Sequence, residues 1–192
     1  AAGGSVLSRI NHHSNRSMET TTQTPVTTTA VAVRYGLLTG LVGIIFSFLL
    51  FMMQADQSPI RWLGLAITIG GMVLAHRQFK QSNGGFMEYS QCLGIGTLMG
   101  LVAGTVNTLF NYVYLTFIDT EYMGRAMDIA RAKMEEKGNM TDEQIDQAMT
   151  WATKFSSGGW MLLFGILGSL IFAFLISLLV SAITKNSKPQ FE

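Results

Sequence analysis

Residues 155–184 read FSSGGWMLLFGILGSLIFAFLISLLVSAIT, thirty positions without an Asp, Glu, Lys, Arg or His. A second chargeless run of thirty, Tyr89–Ile118, reads YSQCLGIGTLMGLVAGTVNTLFNYVYLTFI. A helix needs about 20 apolar residues to cross the hydrocarbon of a bilayer, and each run exceeds that. The deficit of charge extends to the whole chain: 13% of its 192 residues are Asp, Glu, Lys or Arg, against roughly 25% in an average soluble domain. Thirteen of those 25 charges fall in Asp119–Gly158, leaving 12 for the other 152 residues. A soluble domain of this size has no interior in which to hide such segments. The expected class is an all-α integral membrane protein, and a water-soluble enzyme is close to excluded.

Working toward the N-terminus, Tyr35–Ala55 is a further 21 uncharged residues between Arg34 and Asp56. No small-x-small cleavage pattern follows it, so it reads as an uncleaved span rather than a signal peptide. The next segment is short: Trp62–Ala75 has 14 uncharged residues between Arg61 and His76, about 21 Å of helix against a layer about 30 Å thick. Snorkelling of Arg61 and Arg77 extends it to residues 59–79, with Trp62 at an interface. It is expected to span; a re-entrant or interfacial helix is the other reading. The four expected spans are then residues 35–55, 59–79, 92–118 and 159–183.

Orientation follows from Lys and Arg beside the span ends. Arg34, Arg77, Lys80, Lys185 and Lys188 share one side; Arg61, Arg125, Arg131 and Lys154 share the other. The majority puts both termini in the cytoplasm and residues 119–158 on the opposite face. Residues 1–33 have no apolar periodicity, and seven of the twelve residues Met18–Thr29 are Thr. They are expected to form a disordered tail, with Met18 a natural start and Ala1–Ser17 upstream or added sequence. His12–His13 lacks further ligands, and the lone Cys92 excludes an intrachain disulfide, so neither a metal nor any other cofactor is expected. A net charge of +1 gives no electrostatic case for a nucleic-acid partner.

Residues 119–158 carry readable helical patterns. Met123, Met127, Ala130 and Met134 share one face of a helix over Glu121–Lys137, which Gly138 is placed to end. Thr141 with Gln144 has the capping-box spacing, and Ile145, Ala148, Met149 and Ala152 continue the apolar stripe. The expectation is an extramembrane amphipathic helical hairpin between spans three and four. Its apolar face packs helix on helix or docks a partner through Met123, Met127, Met134, Ile145 and Met149. Met123 and Met127, one turn apart, read as packing rather than as soft ligands for Cu(I).

Within the spans the pattern is small residues. Gly96, Gly100 and Gly104 recur every fourth position, and Asn107 and Asn111 lie within about 20° of Gly100 on the helix. The last span offers Gly165, Ser169, Ala173, Ser177 and Ser181 at the same spacing. In lipid no hydrophobic drive holds helices together, so small residues act by letting backbones approach, and amides bond across the contact. The other reading makes Asn107 and Asn111 line a polar path. Proton- and ion-coupled carriers place ionisable residues inside the bilayer, and none is expected deep in these spans. HExxH, Gly-x-Ser-x-Gly and a phosphate-binding loop with Lys are missing from the sequence, so the chain is not expected to be an enzyme.

Four features in order carry a resemblance. They are Arg34-Tyr35-Gly36-Leu37; Phe86-Met87-Glu88-Tyr89 leading into Gly94-Ile95-Gly96-Thr97; Ala132-Lys133-Met134-Glu135-Glu136 followed by Glu143-Gln144-Ile145; and the Gly-rich final span ending in Lys and Glu192. Over residues 31–192 the chain resembles a family of four-span Bacteroidetes inner-membrane proteins known only as a domain of unknown function (4199-type). The resemblance implies a multi-pass protein of the bacterial inner membrane and supplies no activity or catalytic residue. The expected function is non-catalytic: helix–helix association in the lipid bilayer, as a homo-oligomer or a small accessory subunit of a membrane complex. The alternative is a small channel or facilitator with its path at Asn107 and Asn111.

Overall fold

The computed structural model describes residues 27–188. Its elements are six α-helices: α1 Thr28–Met52, α2 Leu63–Ser82, α3 Tyr89–Val113, α4 Tyr122–Lys137, α5 Asp142–Phe155 and α6 Gly158–Thr184. A 3-10 turn, Pro59–Trp62, leads into α2, and one π-helical turn, Tyr114–Ile118, extends α3. Among the described residues four stretches are long and apolar enough to cross a membrane: Thr28–Met52, Pro59–Ser82, Tyr89–Ile118 and Gly158–Thr184.

The first helix begins earlier than Arg34. Thr27 is extended and its hydroxyl accepts a bond from the Ala30 amide at 3.2 Å, a side-chain N-cap. The Ala-Val run that follows is apolar enough to pack, and Val31 and Ala32 are buried. The expected tail over 1–33 is therefore corrected: Thr28–Val33 is helix. Its remainder, residues 1–26 with His12–His13 and Met18, lies outside the described residues. The short second segment gains its length in the other direction, because α2 continues past His76 and Arg77 to Ser82.

Two stripes show how the long helices meet their surroundings. Leu37, Leu41, Ile45 and Leu49 on α1, and Ile171, Leu175, Leu179 and Ile183 on α6, each recur every fourth residue and are at least half exposed. Contiguous apolar surface of that extent needs an apolar solvent. α3 is the central helix, with α1 along one side and α6 along the other; α2 packs mainly on α1 and touches α3 and α6 more lightly. The tightest core lies at the end where α1 and α3 begin and α2 and α6 finish. It gathers Val31, Met72, Phe79, Met87, Cys92, Ile95, Met99 and Val180. In lipid such a core is held by close dispersion contact rather than by exclusion of water. Met87 and Asn186 exchange backbone hydrogen bonds of 2.8 and 2.9 Å there, tying the approach to α3 to the exit from α6.

At the other end α4 stops at Gly138, which adopts φ 62°. Only a residue without a Cβ takes that left-handed turn at no cost. Thr141 caps α5: its hydroxyl accepts from the Gln144 amide (3.3 Å), while Gln144 Oε1 accepts from the Thr141 amide (2.9 Å). Arg131 on α4 pairs with Asp146 on α5 at 2.8 Å and with Glu135 at 2.9 Å. Ile145 is buried, Met123, Met127, Met134 and Met149 are half-buried, and Met140 is exposed.

Candidate functional site

Two seams run along α3. On the α6 side Gly96 meets Ser177, Gly100 meets Ala173 and Gly104 meets Ser169, and Gly165 meets Thr108, so the pairs step by four in opposite directions. The two helices are antiparallel, and a methyl group at Gly96, Gly100 or Gly104 would collide with its partner. Ser177 Oγ donates across the seam to the Leu93 carbonyl at 3.1 Å. On the α1 side the helices run parallel: a Cβ at Gly36 would lie 2.8 Å from the Met99 carbonyl oxygen, and one at Gly43 2.8 Å from the Asn107 amide. Both seams are filled from within the chain.

Asn107 belongs to the α1 seam. Its Nδ2 donates to the Gly40 carbonyl at 3.2 Å and to its own Ala103 carbonyl at 2.9 Å. Asn111 stands apart from it: its Oδ1 is buried without a bonding partner among the described residues. Beside Asn107 the four long helices leave a cavity of about 200 Å³. Thr39 and Ser47 of α1, Thr68 of α2, Asn107 of α3 and Ser169 of α6 supply its polar wall, and Phe46 and Phe172 part of its apolar one. The hydroxyl protons of Thr68 and Ser169 go to their own helices, to the Gly64 and Ile166 carbonyls. Space of this size admits several waters or one small polar solute.

The residue that sequence reasoning missed is His76, taken as the flank of a span and in fact wholly buried. Its Nε2 lies 2.9 Å from the Cys92 carbonyl and its Nδ1 2.8 Å from Thr184 Oγ1. Thr184 Oγ1 is also 2.8 Å from the Val180 carbonyl. A carbonyl only accepts, so Nε2 carries a proton. The single hydroxyl proton of Thr184 serves either Nδ1 or Val180. In the neutral ring one of the three contacts therefore lacks a hydrogen, whereas the doubly protonated ring satisfies all three. The signal was present: Met72, Ala75, His76 and Phe79 have the spacing of one buried helical face.

A family model described as a protein of unknown function (DUF4199) matches residues 34–186, well over half of the chain. The chain belongs to that family. No curated protein and no solved structure matches it. The family's span takes in both α3 seams, the cavity beside Asn107 and His76 with its partners, and it closes on Asn186, which pairs with Met87.

The family's span also contains a polar cluster at the far end of the bundle. Tyr122 donates its hydroxyl to Asp56 at 2.7 Å, and Phe51 stacks on Tyr114 with ring centres 4.7 Å apart. Arg125 pairs with Asp119 at 2.6 Å. Burial, aided by the Asp56 carboxylate, pushes the Tyr122 hydroxyl up to about 12. Among the described residues no three His, Cys, Asp or Glu side chains gather where they could share a metal ion. Met123, Met127, Met134 and Met149, the methionines expected to dock a partner, are neither fully buried nor fully bare.

Proposed function

We propose that the chain is a non-catalytic integral membrane protein that works by associating with other helices in the bilayer, as a homo-oligomer or as a small accessory subunit. The observation that carries this reading is three glycines against which none of the described residues packs. Gly70 on α2, Gly94 on α3 and Gly168 on α6 are exposed, and a Cβ built on any of them meets nothing within 4 Å. A glycine inside a helix costs about 1 kcal/mol relative to alanine. Where its own bundle gains nothing from it, close approach by a second chain is the compensation lipid allows.

In this reading the membrane is the bacterial inner membrane. Both termini lie in the cytoplasm, with Arg34, Arg77, Lys80, Lys185 and Lys188 on that side. α4 and α5 form a hairpin outside the bilayer on the periplasmic face, where Met123, Met127, Met134 and Met149 leave part of an apolar surface open. Native mass spectrometry of the chain in lipid nanodiscs tests the assignment. Gly94→Leu and Gly168→Leu are expected to shift its complexes toward the monomer while leaving the helix content intact. Unchanged complexes in both variants would overturn it.

The cavity beside Asn107 favours a second reading, a small channel or facilitator for a neutral polar solute. Its polar wall comes from all four long helices, which supports a path between them. Solute flux into proteoliposomes that is abolished by Asn107→Leu would support it, and flux equal to that of empty liposomes would end it.

A further inference from the structure

The C-terminal half of α5 presents an aromatic surface that the other described residues leave open. Trp151 and Phe155 are stacked with ring centres 5.5 Å apart, and Phe155 meets Trp160 edge-on at 6.4 Å and Phe164 edge-on at 4.9 Å. All four rings are at least 39% exposed. The ladder is continuous from α5 onto the outward face of α6, one of the four helices with the length and hydropathy of a span.

Depth follows from α6. Phe164 lies six residues inside its start at Gly158, about 9 Å along the axis. The helix has 27 residues, about 40 Å, which overhangs a hydrocarbon layer of about 30 Å by roughly 5 Å at each end. Phe164 is then inside the hydrocarbon edge. Phe155, in contact with it, sits beside the second turn of α6 rather than above the helix end.

The pattern of α5 fits the same placement. Trp151 and Phe155 lie about 120° and 80° to one side of the buried Ile145, while Asp146 and Thr150 lie on the other side. The acidic residues Asp142, Glu143 and Asp146 stand at the start of the helix; Lys154 stands at its end, with its ammonium 5.2 Å from the Trp151 ring. A lysine beside amphipathic rings suits the boundary between phosphate headgroups and acyl chains.

We propose that the occupant of this surface is the bilayer itself: the C-terminal half of α5 lies in the lipid interface, with Trp151 and Phe155 inserted at the depth of the upper acyl chains. The proposal rests on the reading of α6 as a span and adds that α5 is a membrane-surface helix.

The test uses the full chain in vesicles of phosphatidylcholine and phosphatidylglycerol carrying spin labels at acyl carbon 5 or 12. One variant, Trp62→Phe with Trp160→Phe, keeps only Trp151; a second, Trp62→Phe with Trp151→Phe, keeps only Trp160. Trp151 fluorescence is expected to be quenched several-fold more by the carbon-5 label than by the carbon-12 label, and to be shielded from aqueous iodide. Free access of iodide, or shielding from iodide and both lipid labels (a protein partner or second copy on the face), would overturn the proposal. Trp160 separates the two levels: if it too escapes both lipid labels, the span reading of α6 has failed. Phe155→Trp in a chain lacking the three native tryptophans gives an independent reporter one turn away.

Discussion

His76 and Thr184 are 108 residues apart in sequence, and the imidazole Nδ1 of one lies 2.8 Å from the hydroxyl of the other. With the bond from Nε2 to the Cys92 carbonyl, this contact joins the ends of α2 and α6 to the start of α3. Removing the Thr184 hydroxyl leaves the buried Nδ1 of His76 without a partner, and removing the imidazole empties the buried space it fills; each costs about 1–3 kcal/mol. Thr184→Val and His76→Ala are each expected to destabilise the bundle by that amount in reversible unfolding by sodium dodecyl sulfate. The double variant should lose less than the sum, by about 0.5 kcal/mol or more. Strict additivity would show that the two side chains do not act as a pair. Nitrogen NMR of the neutral ring should report the tautomer with its proton on Nε2.

Gly100 and Gly168 separate what holds the chain together from what it offers outward. Gly100 stands against Ala173 across the seam, whereas Gly168 meets nothing. Leucine at Gly100 overpacks the contact between α3 and α6 and should cost at least 1–3 kcal/mol in the same unfolding measurement. Leucine at Gly168 should leave that stability unchanged or slightly higher, since leucine is the better helix former. Equal losses at the two positions would contradict the placement of the seam.

The glycine seam was legible in sequence because a four-residue spacing on one helix needs a four-residue spacing on its partner, and α6 supplies Gly165, Ser169, Ala173 and Ser177. The partner of Asn107 was not legible. Its bond goes to Gly40 on α1, and nothing in either helix states the offset at which two parallel segments settle. His76 was misplaced for a different reason: an ionisable residue reads as the point where a chain leaves the hydrocarbon. Its hydrogen bonds to Thr184 and to the Cys92 carbonyl offset that penalty, and α2 runs on to Ser82. The start of α1 was missed because its cap, Thr27, sits in a threonine-rich stretch that composition alone marks as unfolded. The cavity beside Asn107 depends on gaps between four helices, which no single segment encodes.

Tyr122 gives a pH dependence with a definite sign. Burial and the bond to Asp56 raise its hydroxyl to about 12, against about 10 in an unfolded chain. The folded state holds the proton more tightly, so this stabilisation is fully present below about pH 10 and is lost as pH rises toward 12. Tyrosinate absorbance of the wild type minus that of Tyr122→Phe should isolate one group titrating near 12. A difference curve centred near 10 would mean that Tyr122 is neither buried nor bonded to Asp56 in the protein.

The joint between α4 and α5 offers two changes with opposite expectations. Arg131 bridges to Asp146, but their side chains are 45% and 62% exposed. An ion pair in water contributes about 0–1 kcal/mol, and Arg131 keeps Glu135 as a second partner when Asp146 is removed. Asp146→Asn should therefore leave amide exchange in both helices close to wild type. Gly138, at φ 62°, has no such reserve: a Cβ there meets its own carbonyl and costs about 1–2 kcal/mol. Gly138→Ala is expected to speed exchange across the last turn of α4 and the first turn of α5, by roughly 5- to 30-fold if opening is local. Faster exchange from Asp146→Asn than from Gly138→Ala would reverse the ranking and make the surface ion pair, rather than the backbone turn, the feature that joins the two helices.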